Sequence, residues 1–164
     1  LYHGGTHTID LLQQFFGDVI SVKAVLPRNK DGTENIESPD ALIQFKDLNV
    51  LLYQIDSREV AICEVTIIGE KGIIRIRDMM GGAIDVINTR TSPDFTNHKM
   101  PDYSNSKTFS NENNSYMTGT YKHLLNCIKN KITTCESSYS ALKTIKIIEA
   151  IKESSKDSLT KLIE

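Results

Sequence analysis

The feature that most constrains the fold is a series of short strand-like segments between residues 19 and 89, with no helical pattern between them. In the first segment Ile20, Val22, Ala24 and Leu26 share one face, because side chains alternate along a strand. Parallel neighbours would need crossover helices, and this part of the sequence shows none. The sequence therefore predicts a mainly antiparallel sheet, with strands at residues 19–26, 41–45, 50–56, 60–68, 73–77 and 83–89.

Helical patterns stand at both ends of the chain. Residues 6–16 predict a helix that Thr6 caps and Gly17 ends, since a hydroxyl suits the first position and a glycine the position after the last. Two further helices are predicted by apolar stripes, one of Tyr121, Leu124, Leu125, Ile128 and Ile132, the other of Leu142, Ile145, Ile148 and Ile151. The predicted fold class is therefore α+β, with an open, mainly antiparallel sheet and helices packed on one face.

Some predicted strands carry apolar residues on both faces, as Leu51, Leu52 and Tyr53 do. One face would pack on the helices, and the other needs a second cover. A second copy of the chain is the simplest cover, so we expect a homodimer through the sheet. The length of 164 residues fits one domain, and we interpret residues 1–164 as a single unit.

Residues 90–117 contrast with the strands before them. This stretch is crowded with Asn, Ser, Thr, Asp and Pro and has no sustained apolar period. A structureless segment of this length is uncommon inside a compact domain. We predict a loop that is either mobile or ordered by a ligand or a neighbouring subunit.

Charge and cysteine usage argue against several classes of function. The formal net charge is −2, whereas a nucleic-acid binder shows a basic excess. The three cysteines, Cys63, Cys127 and Cys135, form no CxxC pair, which argues against a zinc ribbon or a disulfide framework and favours a cytoplasmic protein with reduced thiols. No apolar run approaches the roughly 18 residues of a membrane span. We expect neither nucleic acid nor a membrane as a partner.

The residues that suggest chemistry lie near the start of the chain, in the stretch HGGTHTID at residues 3–10. On the residues alone, three interpretations remain open. His3 and His7 could bind a metal together, although no third ligand stands nearby. His7 could be structural, as a helix cap or a packed side chain. His7 could instead be an acid/base, oriented by Asp10, which stands three residues on along the same helical face.

Three segments resemble, in the right order, motifs from the C-terminal domain of the Gfo/Idh/MocA family of NAD(P)-dependent oxidoreductases. They are GTHTIDLL at 5–12 with the following FG at 16–17, the hairpin EVTIIGEKGIIRI at 64–76, and a closing helix with SAL at 140–142, IEAI at 148–151 and SS at 154–155. The resemblance covers nearly the whole chain. It implies an open antiparallel sheet that often dimerises through its free face, in agreement with the two-faced strands.

The resemblance also implies a function. It indicates a parent protein that moves hydride between NAD(P) and a carbinol carbon of a sugar, cyclitol or sugar-nucleotide. His7 matches the family's acid/base histidine, and His3 stands where many members carry an aspartate, so these two are the catalytic candidates. Tyr2 and Asp10 are the expected substrate-binding residues, with residues 90–117 beside them. Because His3 replaces the family acid, a non-catalytic binding or dimerisation module of the same fold is the alternative.

The same resemblance places the nucleotide site outside this chain. NAD or NADP belongs to an N-terminal domain with a glycine-rich turn, which also carries the family's catalytic lysine. No G-x-G-x-x-G occurs among the nine glycines here. The sequence enters a helical pattern soon after Leu1, which we interpret as the middle of a longer protein, a trimmed N-terminus being the alternative. We expect this chain to hold no cofactor and no metal, and to be inactive alone.

Overall fold

The computed structural model describes residues 4–28, 31–35, 38–53, 62–77, 82–110, 116–133 and 138–163. The helices are α1 (Gly4–Phe16), α2 (Tyr116–Asn130) and α3 (Ser138–Asp157). The strands are β1 (Val19–Val25), β2 (Asp40–Phe45), β3 (Asn49–Leu52), β4 (Val65–Gly69), β5 (Gly72–Ile76), β6 (Ile84–Thr91), β7 (Lys99–Phe109) and β8 (Lys161–Leu162). The strand pairs are antiparallel, so the predicted open α+β arrangement is confirmed. The strands divide between two four-stranded sheets, where the sequence predicted one.

The first sheet, with α1 and α3, forms a compact unit of residues 1–56 and 133–164. Its strand order is β3-β2-β1-β8. Both helices pack on one face of this sheet, as expected, and their apolar side chains meet the inner faces of β1 and β2 in one core. The buried core residues are Ile9, Leu12, Val19, Val22, Ala24, Ala41, Ile43, Phe45, Ile147, Ile148 and Ile151.

Helix α1 begins at Gly4, two residues earlier than predicted, so the interpretation of Thr6 as the cap was wrong. Ile9 and Leu12 are buried in the core, and this packing stabilises a first turn that two glycines would otherwise weaken. The predicted end is confirmed. Gly17 has a φ of 83°, a conformation that favours glycine, and its N–H donates to the Gln13 carbonyl at 2.9 Å.

Strand β1 has an irregularity that the alternating pattern did not predict. Its pairing with β2 shifts register between Val19 and Ser21. An extra residue at such a bulge reverses the alternation, so Ile20 is 44% exposed while Val19 and Ser21 are buried. The prediction that Ile20 shares a face with Val22 and Ala24 was therefore wrong. Val22, which follows the bulge, lies in the core as predicted.

The buried face of α3 also differs from the predicted stripe. Thr144 and Ile147 are buried, whereas Leu142 and Ile145 are 53% and 40% exposed. Each three-residue step turns the helix by about 300°, so a stripe built only on such steps reaches the opposite side after about nine residues. The predicted stripe was wrong before Ile148 and right from that residue on.

A buried hydroxyl fixes α3 against the sheet. Ser154 is fully buried and lies near the end of α3. Its oxygen accepts a hydrogen bond from the Ala24 backbone N–H at 2.8 Å, and its O–H donates to the Leu159 carbonyl. This side chain therefore joins α3, β1 and the turn that leads into β8.

The second sheet and α2 belong to another compact unit, residues 57–132. Its strands follow one another as a meander in the order β4-β5-β6-β7. The close approach of β5 to β6 requires Gly72, because a Cβ at that position would lie 2.3 Å from the Ile87 carbonyl oxygen. The predicted strands at 50–56 and 60–68 are found in part, and their residues 54–61 lie outside the described ones.

The prediction of a loop over residues 90–117 was wrong for most of the described residues in this stretch. β6 extends to Thr91, and β7 pairs with it along an 11-residue strand, from Lys99 to Phe109. β7 lies at the sheet edge, and every side chain from Tyr103 to its end is exposed. The strand pairs with β6 through backbone hydrogen bonds, and such bonds do not require alternating apolar side chains. The sequence therefore shows no apolar alternation that would predict this strand. Residues 111–115 lie outside the described ones.

Candidate functional site

A cleft of about 400 Å³ lies between the first turns of α1 and α3. Its lining combines an imidazole, a carboxylate and hydroxyls with a few apolar groups; the lining residues are Thr6, His7, Asp10, Ser138, Ser140, Ala141, Thr144 and Ile145. A concave surface with a few convergent polar groups is the usual form of a small-molecule site. A larger hollow, of about 490 Å³, lies at the β4–β5 turn, but glycine, isoleucine and valine dominate its lining. We place the candidate site at the α1–α3 cleft because His7 lines it, and an imidazole suits proton transfer near neutral pH.

His7 lies in the first turn of α1, and its side chain is exposed at the cleft. Within the described part of the chain, the structure gives this imidazole no hydrogen-bond partner and no ion pair. Ile9, two residues on, points into the core and fixes the rotation of the helix. The imidazole is therefore held on a rigid element and open to a ligand.

Asp10 lines the same cleft, but its contact differs from the expected one. The sequence suggested that Asp10 orients His7, whereas its Oδ1 accepts a hydrogen bond from the Ser140 hydroxyl of α3 at 3.2 Å. The carboxylate therefore joins the two helices that form the cleft. Its predicted role as a substrate-binding residue is compatible with this position.

Two further polar side chains join α1 to α3 one turn deeper. Gln13 Nε2 donates to Thr144 Oγ1 at 2.8 Å, and Thr144 Oγ1 donates to the Ser140 carbonyl at 3.3 Å. Thr144 is 4% exposed, so both roles of its hydroxyl are satisfied inside the protein. Ser140 and Thr144 were not predicted as site residues from the sequence. Their signal was two small polar residues four apart, on the helix face that continues into Ile147 and Ile148.

The far end of α1 is tied to α3 by an exposed ion pair. Lys143 Nζ lies 2.7 Å from Asp18 Oδ1. This hydrogen bond, aided by the charge of the Asp18 carboxylate, raises the pKa of Lys143. The ammonium also lies 5.1 Å from the centre of the Tyr139 ring. Exposed pairs of this kind contribute little to stability, and Lys143 is not part of the cleft lining.

The other predicted site residues, Tyr2 and His3, lie outside the described residues. The structure therefore does not test the pairing of His3 with His7, for catalysis or for a metal. Across the described ranges, no group of three His, Cys, Asp or Glu side chains converges on one point. None of the described helices combines the length and the apolar character that crossing a bilayer requires.

The residues present do not fit a dinucleotide. Such sites use a glycine-rich turn between a strand and a helix of a parallel βαβ unit. The sequence contains no G-x-G-x-x-G, and the described sheets are antiparallel. We therefore assign no residue of this chain to NAD or NADP.

Comparison with known proteins gives a family and a set of similar folds. The family model described as "Oxidoreductase family, C-terminal alpha/beta domain", that of Gfo/Idh/MocA, matches residues 1–161. No curated protein matches the chain. A putative oxidoreductase, yvaA from Bacillus subtilis, is 22% identical, with a TM-score of 0.69, and the match covers 100% of this chain and 51% of that one.

Two similar structures were solved with ligands. Levoglucosan dehydrogenase, in complex with NADH and levoglucosan, is 15% identical, with a TM-score of 0.68, over 97% of this chain and 48% of that one. The WlbA dehydrogenase from Bordetella pertussis, in complex with NADH and UDP-GlcNAcA, is 18% identical, with a TM-score of 0.58, over 98% of this chain and 43% of that one. The chain thus spans about half the length of the solved structures it matches, and at these identities the likeness shows the fold.

Proposed function

Because the chain belongs to the Gfo/Idh/MocA oxidoreductase family, as its C-terminal alpha/beta domain, we propose that it is the substrate side of an NAD(P)-dependent oxidoreductase. The substrate is a sugar, cyclitol or sugar-nucleotide, and the reacting group is a carbinol. The observation that carries this proposal is the family match over residues 1–161, together with a cleft that holds His7 and Asp10. The sugar and sugar-nucleotide ligands of two similar structures support the substrate class.

His7 has the proton-handling role in this proposal. An imidazole nitrogen accepts the proton of the substrate hydroxyl during oxidation and returns it during reduction, and imidazole suits such transfer near neutral pH. Asp10 accepts a hydrogen bond from a second hydroxyl of the substrate. Tyr2 and His3 precede α1 directly in the sequence, and we assign Tyr2 to substrate contacts and His3 to orienting His7. NAD or NADP is bound by another part of the full-length protein.

A non-catalytic binding or dimerisation module is the second candidate, and His3 in place of the family's acid favours it. An activity assay on the full-length protein separates the two. We expect reduction of NAD or NADP with at least one member of a panel of sugars, cyclitols and sugar-nucleotides. If the protein binds a member of the panel but oxidises none of them with either NAD or NADP, the result would favour the non-catalytic module.

The isolated chain is expected to show no measurable affinity for NAD(H) or NADP(H) in calorimetry at about millimolar nucleotide, the range of the weakest affinities that such an experiment resolves. The physical reason is the absence of a glycine-rich turn from the sequence. The full-length protein serves as the positive control. Micromolar binding by the isolated chain would contradict our assignment of the nucleotide to another domain.

We also expect a homodimer through the open face of the first sheet. Leu42 and Leu51 are directly paired there and are 46% and 73% exposed, and Leu162, on β8 of the same sheet, is 75% exposed. A stable dimer buries roughly 1,200–2,000 Å² in total, and apolar patches of this kind are typical of such interfaces. Sedimentation at about 100 μM should therefore give a dimer, because standard interfaces hold well below that concentration.

A charged substitution at the centre of this face tests the location of the dimer interface. Leu42→Glu should shift the chain toward the monomer. Leu159→Glu, which changes a leucine that is 61% exposed in the turn after α3, should leave the dimer intact. A wild-type monomer, or equal effects of the two substitutions, would count against an interface on this face.

A further inference from the structure

We propose that Ser140 is a positioning residue for Asp10, so that α3 and not α1 alone sets the geometry of the cleft. The proposal rests on the proposed function of this cleft as the substrate site. It starts from one contact, the 3.2 Å hydrogen bond from the Ser140 hydroxyl to Asp10 Oδ1. Neither side chain is among the buried residues, and both line the cleft.

The contact leaves half of the carboxylate available. Oδ1 accepts from Ser140, and within the described residues the structure gives Asp10 no other partner. An aspartate on a helix surface can adopt more than one rotamer, and a donor on the facing helix selects one of them. Ser140 thus holds Oδ1 and leaves Oδ2 free to accept a hydrogen bond from a hydroxyl of a bound ligand.

Ser140 is itself held in place. Thr144 Oγ1 donates to the Ser140 carbonyl and accepts from Gln13 Nε2, so the same hydroxyl contacts both helices. Because Thr144 is buried, loss of either bond would leave a polar group without a partner inside the protein. The Gln13–Thr144 contact therefore fixes the spacing between α1 and α3, and the Ser140–Asp10 contact uses that spacing at the surface.

The Ser140–Asp10 hydrogen bond is partly exposed, so its effect on the position of Asp10 can be measured without loss of the fold. The apolar core between the helices and the sheet holds α1 and α3 together, and one partly exposed hydrogen bond contributes little beside that core. Ser140→Ala should therefore leave the fold intact and release Asp10. Ser140→Thr keeps a hydroxyl at the same place and should restore the contact.

The test combines a spectroscopic readout with kinetics on the full-length protein. In carbon-13 NMR spectra of aspartate-labelled protein, Ser140→Ala should move the Asp10 carboxyl signal, and Ser140→Thr should return it toward the wild-type position. With the sugar or cyclitol that the wild type oxidises, Ser140→Ala should raise KM about tenfold and change kcat less than about threefold, since a misplaced Asp10 carboxylate weakens its hydrogen bond to the substrate without altering the proton transfer at His7. In the Asp10→Asn background the same change should alter KM less than about twofold.

A matched control is available in an exposed turn. Thr33 Oγ1 donates to Asp31 Oδ1 at 2.6 Å, a hydroxyl–carboxylate bond like that of Ser140 but away from the cleft lining. Thr33→Ala removes this bond and should change neither KM nor the Asp10 signal.

The NMR signal and the kinetics test different parts of the proposal. An Asp10 signal that does not move in Ser140→Ala overturns the proposal whatever the kinetics show. A signal that moves with an unchanged KM makes the contact structural only and also overturns the positioning role. If the wild type reduces neither NAD nor NADP with any member of the panel, the proposed function fails, and the carboxyl signal alone then decides whether Ser140 holds Asp10.

Discussion

Replacement of His7 by asparagine is expected to lower kcat/KM of the full-length protein at least about 100-fold, or about 2.7 kcal/mol of transition-state stabilisation. A positioned acid/base contributes about 10²- to 10⁴-fold in rate, and His7 is the imidazole that lines the α1–α3 cleft. The melting temperature should stay nearly unchanged, because the side chain is exposed and makes no hydrogen bond or ion pair with the described residues that its loss would remove. Steady-state kinetics and thermal unfolding of one variant give both quantities.

Two comparisons make this prediction specific. Gln14→Ala changes an exposed residue two turns further along α1, outside the cleft lining, and should leave kcat/KM unchanged. His3→Ala should lower kcat/KM by less than the change at His7 does, because His3 only orients the proton-handling group in our proposal. A His7 variant with a lower melting temperature and full activity would show that His7 is a structural residue and not a catalyst.

Replacement of Ile148 by alanine is expected to lower the free energy of unfolding of the chain by about 2–5 kcal/mol. Ile148 is fully buried in the core between α3 and the first sheet, so truncation removes apolar contacts and leaves a cavity. Ile145→Ala makes the same chemical change one turn earlier, at a side chain that is 40% exposed, and should cost less than about 1 kcal/mol.

Urea unfolding followed by circular dichroism measures both substitutions. The ratio of the two losses in unfolding free energy tests which face of α3 is buried, since the sequence predicted Ile145 and Ile148 in the same apolar stripe. Equal losses at the two positions would show that Ile145 is buried in solution and that the rotation of α3 differs from the one described here.

The antiparallel pairing of the strands and the end of α1 were within reach of sequence reasoning. Short strands without intervening helices leave antiparallel pairing as the simplest arrangement, and the meander of the second sheet has this form. Gly17 marked the end of α1 because a left-handed residue after a helix favours glycine. Such signals are local in the chain, so they can be recognised without knowledge of the tertiary structure.

The errors arose where the decisive contacts are distant in sequence or made by the backbone. The bulge in β1 depends on its pairing with β2. Ile20 therefore fits the alternating pattern in the sequence but is exposed in the sheet. β7 is a strand because β6 pairs with it, although most of its side chains are exposed and polar. The division of the strands into two sheets likewise has no signature within any one segment.

The candidate site shows the same limit. His7 and Asp10 stand three residues apart, and their shared helix face could be read from the sequence. The partner of Asp10 could not, because Ser140 is 130 positions away and meets it only when α3 packs beside α1. Residue spacing thus located one wall of the cleft, and the second wall needed the fold.

The central claim, that the α1–α3 cleft is the substrate side of an oxidoreductase, is tested most directly by a crystal structure of the full-length protein with its sugar-type substrate bound. We predict the reacting hydroxyl oxygen within about 2.6–3.2 Å of an imidazole nitrogen of His7, the range of a productive proton-transfer contact. We also predict a second hydroxyl in hydrogen-bond contact with Asp10. A substrate bound elsewhere, with His7 and Asp10 both facing solvent, would contradict the claim.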